Sequence, residues 1–125
     1  MYNSSGINQY QSVEVQSRVA ASNPHKLISM LLEGALKKIA IASGATKRGD
    51  VAQKGASLSG AMRIIDSLRA SLDMERGGEI ADNLTALYSY MERRLLEANQ
   101  KSDVAIMAEV STLLNEIKSS WDKIS

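Results

Sequence analysis

The chain has 125 residues, enough for one domain with a real core and too few for two, and its 44% hydrophobic and 23% charged content with a single proline argues against wholesale disorder. The absence of cysteine and the presence of one histidine, His25, exclude disulfides, thiolate chemistry and every site that needs two imidazoles. Fifteen basic against fourteen acidic residues give little reason to expect nucleic acid. No apolar run reaches the ~20 residues of a membrane span, and Met1 to Tyr10 carries no export signal, so a soluble cytosolic protein without membrane insertion is expected.

Residues 1–22 are dominated by Asn, Ser and Gln, with isolated apolar anchors at Tyr2, Ile7, Tyr10, Val13, Val15 and Val19. This composition predicts an arm, with a helical turn or two near Val15 to Ala21, ahead of a main body at 23–125. Asn23-Pro24 is a helix start, since Asn caps free amides and proline at the first helical position loses no needed hydrogen bond. Ile28, Leu31, Leu32, Ala35, Leu36 and Ile39 then recur at helical spacing and Gly44 offers a terminator, which predicts a first helix over about 24–43.

Asp50 with Gln53 forms a capping box ahead of the stripe Leu58, Ala61, Met62, Ile65, Leu68 and Leu72, giving a second helix over about 50–75 that stops at Arg76-Gly77-Gly78. Ile80, Leu84, Leu87, Tyr88, Met91, Leu95 and Ala98 make a third stripe, over about 79–99 with Asn99 at its end. Ser102 or Asp103 caps a fourth helix over about 103–124, with Ile106, Met107, Val110, Leu113, Leu114, Ile117, Trp121 and Ile124 on one face. Helices of about 20 residues are roughly 30 Å long, and connections this short force neighbours to run antiparallel. The expected fold is therefore all-α, an up-down-up-down antiparallel four-helix bundle with the arm or a short helix capping an apolar groove.

Catalytic constellations are missing. A carboxylate-bridged metal pair needs two Glu-x-x-His motifs, and no Glu here has a histidine three residues on. His25 is expected at the solvated surface. Glu33, Glu75, Glu79, Glu92, Glu97, Glu109 and Glu116 have polar or basic neighbours and read as solvated faces. Ser57 to Ser59 lack a base, and Gly77-Gly78 lacks the Lys-Ser or Lys-Thr pair of a phosphate-cradling loop. Neither an enzyme, a metal nor a cofactor is expected. Lys37, Lys38, Lys47, Arg48 and Lys54 gather around the first connection, where solvated helix ends explain them better than a phosphate patch without aromatics.

The informative residues are the apolar ones that a four-helix core does not need. Leu27, Ile28, Met30, Leu31, Leu32, Leu36, Ile39 and Ile41 cover more than one stripe of the first helix. Tyr90 falls about 110° off the centre of the third stripe, counting ~100° per residue, and should flank the core. Burying Ile7 and Tyr10 stabilises docking of the arm by roughly 1.5–3 kcal/mol each. Fixing each intervening backbone residue costs about 1–2 kcal/mol. The balance is near zero, as a displaceable cover of an apolar groove requires.

The stretch from Leu72-Asp73-Met74-Glu75-Arg76-Gly77-Gly78-Glu79-Ile80 through Ala81-Asp82-Asn83-Leu84-Thr85-Ala86-Leu87-Tyr88-Ser89-Tyr90-Met91 resembles the FliS family of flagellar secretion chaperones. So do Tyr10, Pro24 with Leu27-Ile28-Ser29-Met30-Leu31, Gly34-Ala35, Arg94-Leu95, Ala98-Asn99 and Trp121, over nearly the whole length. One departure is Leu32-Glu33-Gly34-Ala35, where the family commonly shows Tyr-Asp-Gly-Ala; a client contact made by that tyrosine would be altered here.

The resemblance implies a cytosolic bundle that wraps the disordered C-terminal segment of flagellin, stops premature polymerisation and engages the flagellar export gate once loaded. Ile7 and Tyr10 are expected to occupy the groove when it is empty. Leu27, Leu31, Leu87, Tyr90 and Met91 are expected to line it, with plain core packing the competing account, and Asn83 to bond client backbone. Trp121 is expected in the core, closing one end of the bundle. Two other readings stand beside this one: a self-assembling bundle or adaptor without a flagellin client, whose apolar surplus is a homodimer interface, and a small nucleic-acid binder using the Lys47 region.

Overall fold

An α-helix leaves its first amides without intrahelical partners, and a short polar side chain just ahead of it supplies the missing acceptor. The computed structural model describes residues 23–124. There Asn23 accepts from the Lys26 amide at the head of α1 (Pro24–Arg48), and Asp50 accepts from the Gln53 amide at the head of α2 (Val51–Ala70). Asp73 accepts from the Glu75 and Arg76 amides to start α3 (Met74–Lys101), and Asp103 from those of Ala105 and Ile106 to start α4 (Val104–Asp122).

Gly49-Asp50, Ser71-Leu72-Asp73 and Ser102-Asp103 are the connections, too short for anything but antiparallel neighbours. Consecutive helices pack on one another and α4 packs back on α1, closing the antiparallel up-down-up-down bundle that the stripes predict. The arm expected at 1–22, with Ile7 and Tyr10, lies outside the described residues.

Four positions per helix build the core: Leu32, Ala35, Ile39 and Ala42; Leu58, Ala61, Ile65 and Leu68; Tyr88, Met91, Leu95 and Ala98; Ile106, Met107, Val110 and Leu114. Mixing alanine with Leu, Ile and Met lets facing layers interdigitate at native density. No described helix is long and apolar enough to cross a membrane.

Helix ends depart from expectation where a glycine reads as a stop. α1 continues through Gly44 because Ala42 before it and Ala45 after it are both buried, so its packing face does not end there. The turn comes at Gly49, in the left-handed conformation with φ 75°. The second helix ends at Ala70, where Ser71 turns its hydroxyl back onto the Leu68 carbonyl at 2.7 Å and Asp73 claims the amides of the next helix. Gly77-Gly78, expected to follow the second helix, lies inside α3, where Gly78 at φ 50° and ψ −127° kinks the chain just after its first turn. α3 passes Asn99 and reaches Lys101, with Ser102 left-handed behind it, and α4 stops at Asp122, short of 124.

Candidate functional site

Ile80, Leu84 and Tyr88 step along α3 at intervals of four, which places them on one face over about 12 Å of axis. Ile117 and Trp121 on the last turns of α4, with Ile124 just beyond its end, make the facing wall. Between these walls lie two hollows of about 360 and about 410 Å³ that share Ile80, Leu84, Ile117 and Trp121 and so form one trench. Ile28, Leu68, Leu72 and Ala81 add to its apolar lining, and Asp73, Arg76, Glu116 and Ser120 contribute polar groups to it. Ile80 is 72% exposed and Ile124 58%, which is solvent contact that packing within the bundle does not relieve. A larger hollow of about 470 Å³ on α4 is lined, among the described residues, by Thr112, Asn115, Glu116, Ser119 and Ser120, which offer no comparable apolar wall.

Trp121 is half-buried and lines the trench, a correction to its expected place in the core: the core is filled by smaller side chains and the indole packs on its rim. His25 is likewise half-buried instead of solvated. Its ring stacks on the indole with centroids 4.6 Å apart and planes 11° from parallel. Across the same junction Ser29 donates to Asp122, which Lys118 also pairs; the Lys118 and Ser29 hydrogen bonds hold the Asp122 carboxyl below its usual range.

Three glutamates expected on solvated faces are partly enclosed, and two of them find hydrogen-bond partners on neighbouring turns or helices. Glu109 accepts from the Tyr90 hydroxyl at 2.5 Å and from Arg94 Nε at 2.9 Å, bonds that lower its pKa in that order of effect. Glu97 pairs with Lys101 and Arg94 and is lowered chiefly by Lys101. Glu92 differs: burial pushes its pKa up, Arg69 is 3.7 Å away, and its Oε1 accepts no hydrogen bond. Lys54, expected at a solvated helix end, is buried; its Nζ donates to the Asn99 carbonyl at 2.9 Å and to the Ser102 hydroxyl at 2.6 Å, closing the C-terminus of α3.

Among the described residues expected to meet a client, Asn83 is exposed, and Leu27, Leu31, Leu87 and Tyr90 are half-buried. Tyr90 is tied to Glu109, with Arg93 6.0 Å above its ring. Met91 is wholly inside the core and presents no surface. None of the six lines the trench; Leu27, Asn83 and Leu87 each sit one residue from a side chain that does, Ile28, Leu84 and Tyr88. One residue is about 100° of helix, the phase that a stripe read from sequence leaves loose. Leu32 is wholly buried, so the departure from the family tyrosine there bears on packing in this chain.

A family model described as "Flagellar protein FliS" matches residues 6–125. The flagellar secretion chaperone FliSB of Pseudomonas aeruginosa is 47% identical over 125 residues, covering 100% of this chain and 99% of that protein. The flagellar secretion chaperone FliS of Salmonella typhimurium is 48% identical over 126 residues, covering 100% and 93%. That of Bacillus subtilis is 34% identical over 114 residues, covering 91% and 84%.

Proposed function

The chain belongs to the FliS family, and from that premise we propose that it is a flagellar secretion chaperone whose client is the disordered C-terminal segment of flagellin, docked in the trench between α3 and α4. The observation that carries this is the trench itself, with Ile80 and Ile124 largely in water at its two walls. Contiguous exposed apolar surface is costly for a lone bundle and marks a place where something binds. Two parallel rows at helical spacing suit an amphipathic segment laid into the groove with anchors at i, i+3 or i+4 and i+7. A client that folds as it binds offsets its ordering cost by the apolar area it covers.

No step of this role transforms a substrate. In the cytosol the bound segment is kept from polymerising and is handed to the flagellar export gate. Ile7 and Tyr10 cover the trench when it is empty and yield to the client, and a homodimer through the same surface is the competing state of the empty chain. Asn83, exposed beside Leu84, bonds client backbone, with Leu27, Leu31, Leu87 and Tyr90 as flanking contacts.

Calorimetric titration with about 40 to 50 C-terminal residues of the cognate flagellin tests this, with one-to-one binding and a large negative heat-capacity change expected. A chain that ignores the peptide and stays oligomeric is a self-assembling bundle instead. Removal of residues 1–12 should leave helicity intact and raise binding of an apolar dye; loss of the fold would refute a removable cover.

A further inference from the structure

Resting on the trench as the docking place, we propose that His25 is a positioning residue for client recognition: it holds the Trp121 indole as a fixed wall of the trench. Trp121 lies in the last turn of α4, where carbonyls lack intrahelical partners and the helix is prone to fray. A tryptophan there, half-buried and on the rim of the core, would otherwise sample several rotamers.

Three contacts from His25 in the first turn of α1 remove that freedom, two made by the imidazole and one by the backbone carbonyl. The imidazole stacks on the indole at 4.6 Å and 11°. His25 Nε2 lies 2.8 Å from the Trp121 carbonyl, which can only accept, so Nε2 carries the proton and donates. The Trp121 Nε1–H donates in return to the His25 carbonyl at 2.8 Å. The indole N–H has no other capacity, so this single bond fixes which edge of the ring faces α1. With that edge and one face engaged, the rest of the ring lines both hollows of the trench beside Ile80, Leu84 and Ile117.

Ordering the wall before the client arrives removes that ordering cost from the binding step. Of the common side chains, histidine alone combines an aromatic face with a donor at the ring edge at this size. Alanine provides neither, phenylalanine only the face and asparagine only a donor.

Trp121 is the one tryptophan of the chain, so its near-ultraviolet circular dichroism band reports this ring alone. The experiment compares the full chain with His25→Ala, His25→Phe and His25→Asn, and with Ile106→Val as a core change at the other end of α4. In His25→Ala the far-ultraviolet helical signal should persist while the tryptophan band falls by about half or more and the affinity for the flagellin C-terminal peptide weakens roughly 5- to 30-fold. His25→Phe and His25→Asn should each recover part of both, and Ile106→Val should keep both within about twofold of the parent.

An unchanged band and affinity in His25→Ala overturns the proposal, as does an equal loss of affinity in Ile106→Val. Should the parent chain bind no peptide, the flagellin reading fails by itself, and binding of an apolar dye to the trench decides the role of His25. Weaker dye binding in His25→Ala supports it, and unchanged dye binding overturns it.

Discussion

A carboxylate taken out of water is stable only when donors replace the water it lost, and Glu92 is short of one. Its Oε1 accepts no hydrogen bond, and Arg69 at 3.7 Å already serves Asp66 and the Ser89 hydroxyl. Burial raises its folded-state pKa above the unfolded value. The fold therefore tolerates neutral Glu92 fully below the ordinary carboxylate range and loses that contribution as pH rises through the raised value. Glu92→Gln should therefore stabilise the bundle at pH 7, by about 0.5–1 kcal/mol. That margin should close as the pH falls below about 4. Urea midpoints at the two pH values measure both. Lys54 is the opposite case, a buried ammonium whose donors are used on the Asn99 carbonyl and Ser102 at the negative end of a helix. Lys54→Met should destabilise the bundle by about 1–3 kcal/mol, read as a lower urea midpoint, since it strands a partly buried carbonyl and removes a favourable charge from the dipole. Neither role was legible in the sequence. Lys54 sits among four other basic residues that remain exposed, and the partner that distinguishes it lies 45 positions away.

At the scale of the helices, three of the four start signals were legible because they are local; Asp73, which caps α3, fell inside the second helix expected over about 50–75. Asn23, Asp50 and Asp103 each cap with a side chain that reaches an amide within three residues. Stop signals were not, because whether a helix runs through a glycine depends on what its far side packs against. Gly44 and Gly78 separate the two situations. Gly44 has helical surroundings, and a Cβ there would meet only the flexible end of Arg48 at 3.2 Å, so Gly44→Ala should stabilise by roughly 0.5–1 kcal/mol. At Gly78 the space is open but φ is 50° with ψ −127°, a conformation that side chains rarely adopt, so Gly78→Ala should destabilise by about 1–3 kcal/mol. Thermal melts of the two variants should thus move in opposite directions, and parallel shifts would show that the kink is not required by the fold. Because Asp73, Arg76 and Gly77 on the near side of that kink line the trench, Gly78→Ala should also weaken whatever docks there.

Across the whole molecule, the division between residues that hold the bundle together and residues left for a partner is sharpest on α3. Tyr88 belongs to both sets, 3% exposed yet lining the trench, whereas Ile80, two turns earlier on the same face, is 72% exposed. The sequence showed these positions as one continuous stripe and did not separate Ile80 from Tyr88. Periodicity reports a face, and only the ends of the neighbouring helices decide where along that face cover runs out. This asymmetry makes Ile80 the cleanest probe of the trench. Replacing a side chain mostly in water should change stability by less than about 0.5 kcal/mol. Covering it with a client, by contrast, buries most of an isoleucine, worth about 1.5–2 kcal/mol or roughly 10- to 30-fold in affinity. Ile80→Ser should therefore melt with the parent while losing about that factor in calorimetric affinity for the flagellin C-terminal peptide, and the heat-capacity change should shrink with the apolar area lost. An Ile80→Ser chain that binds as the parent does would move the docking surface away from the α3–α4 trench altogether.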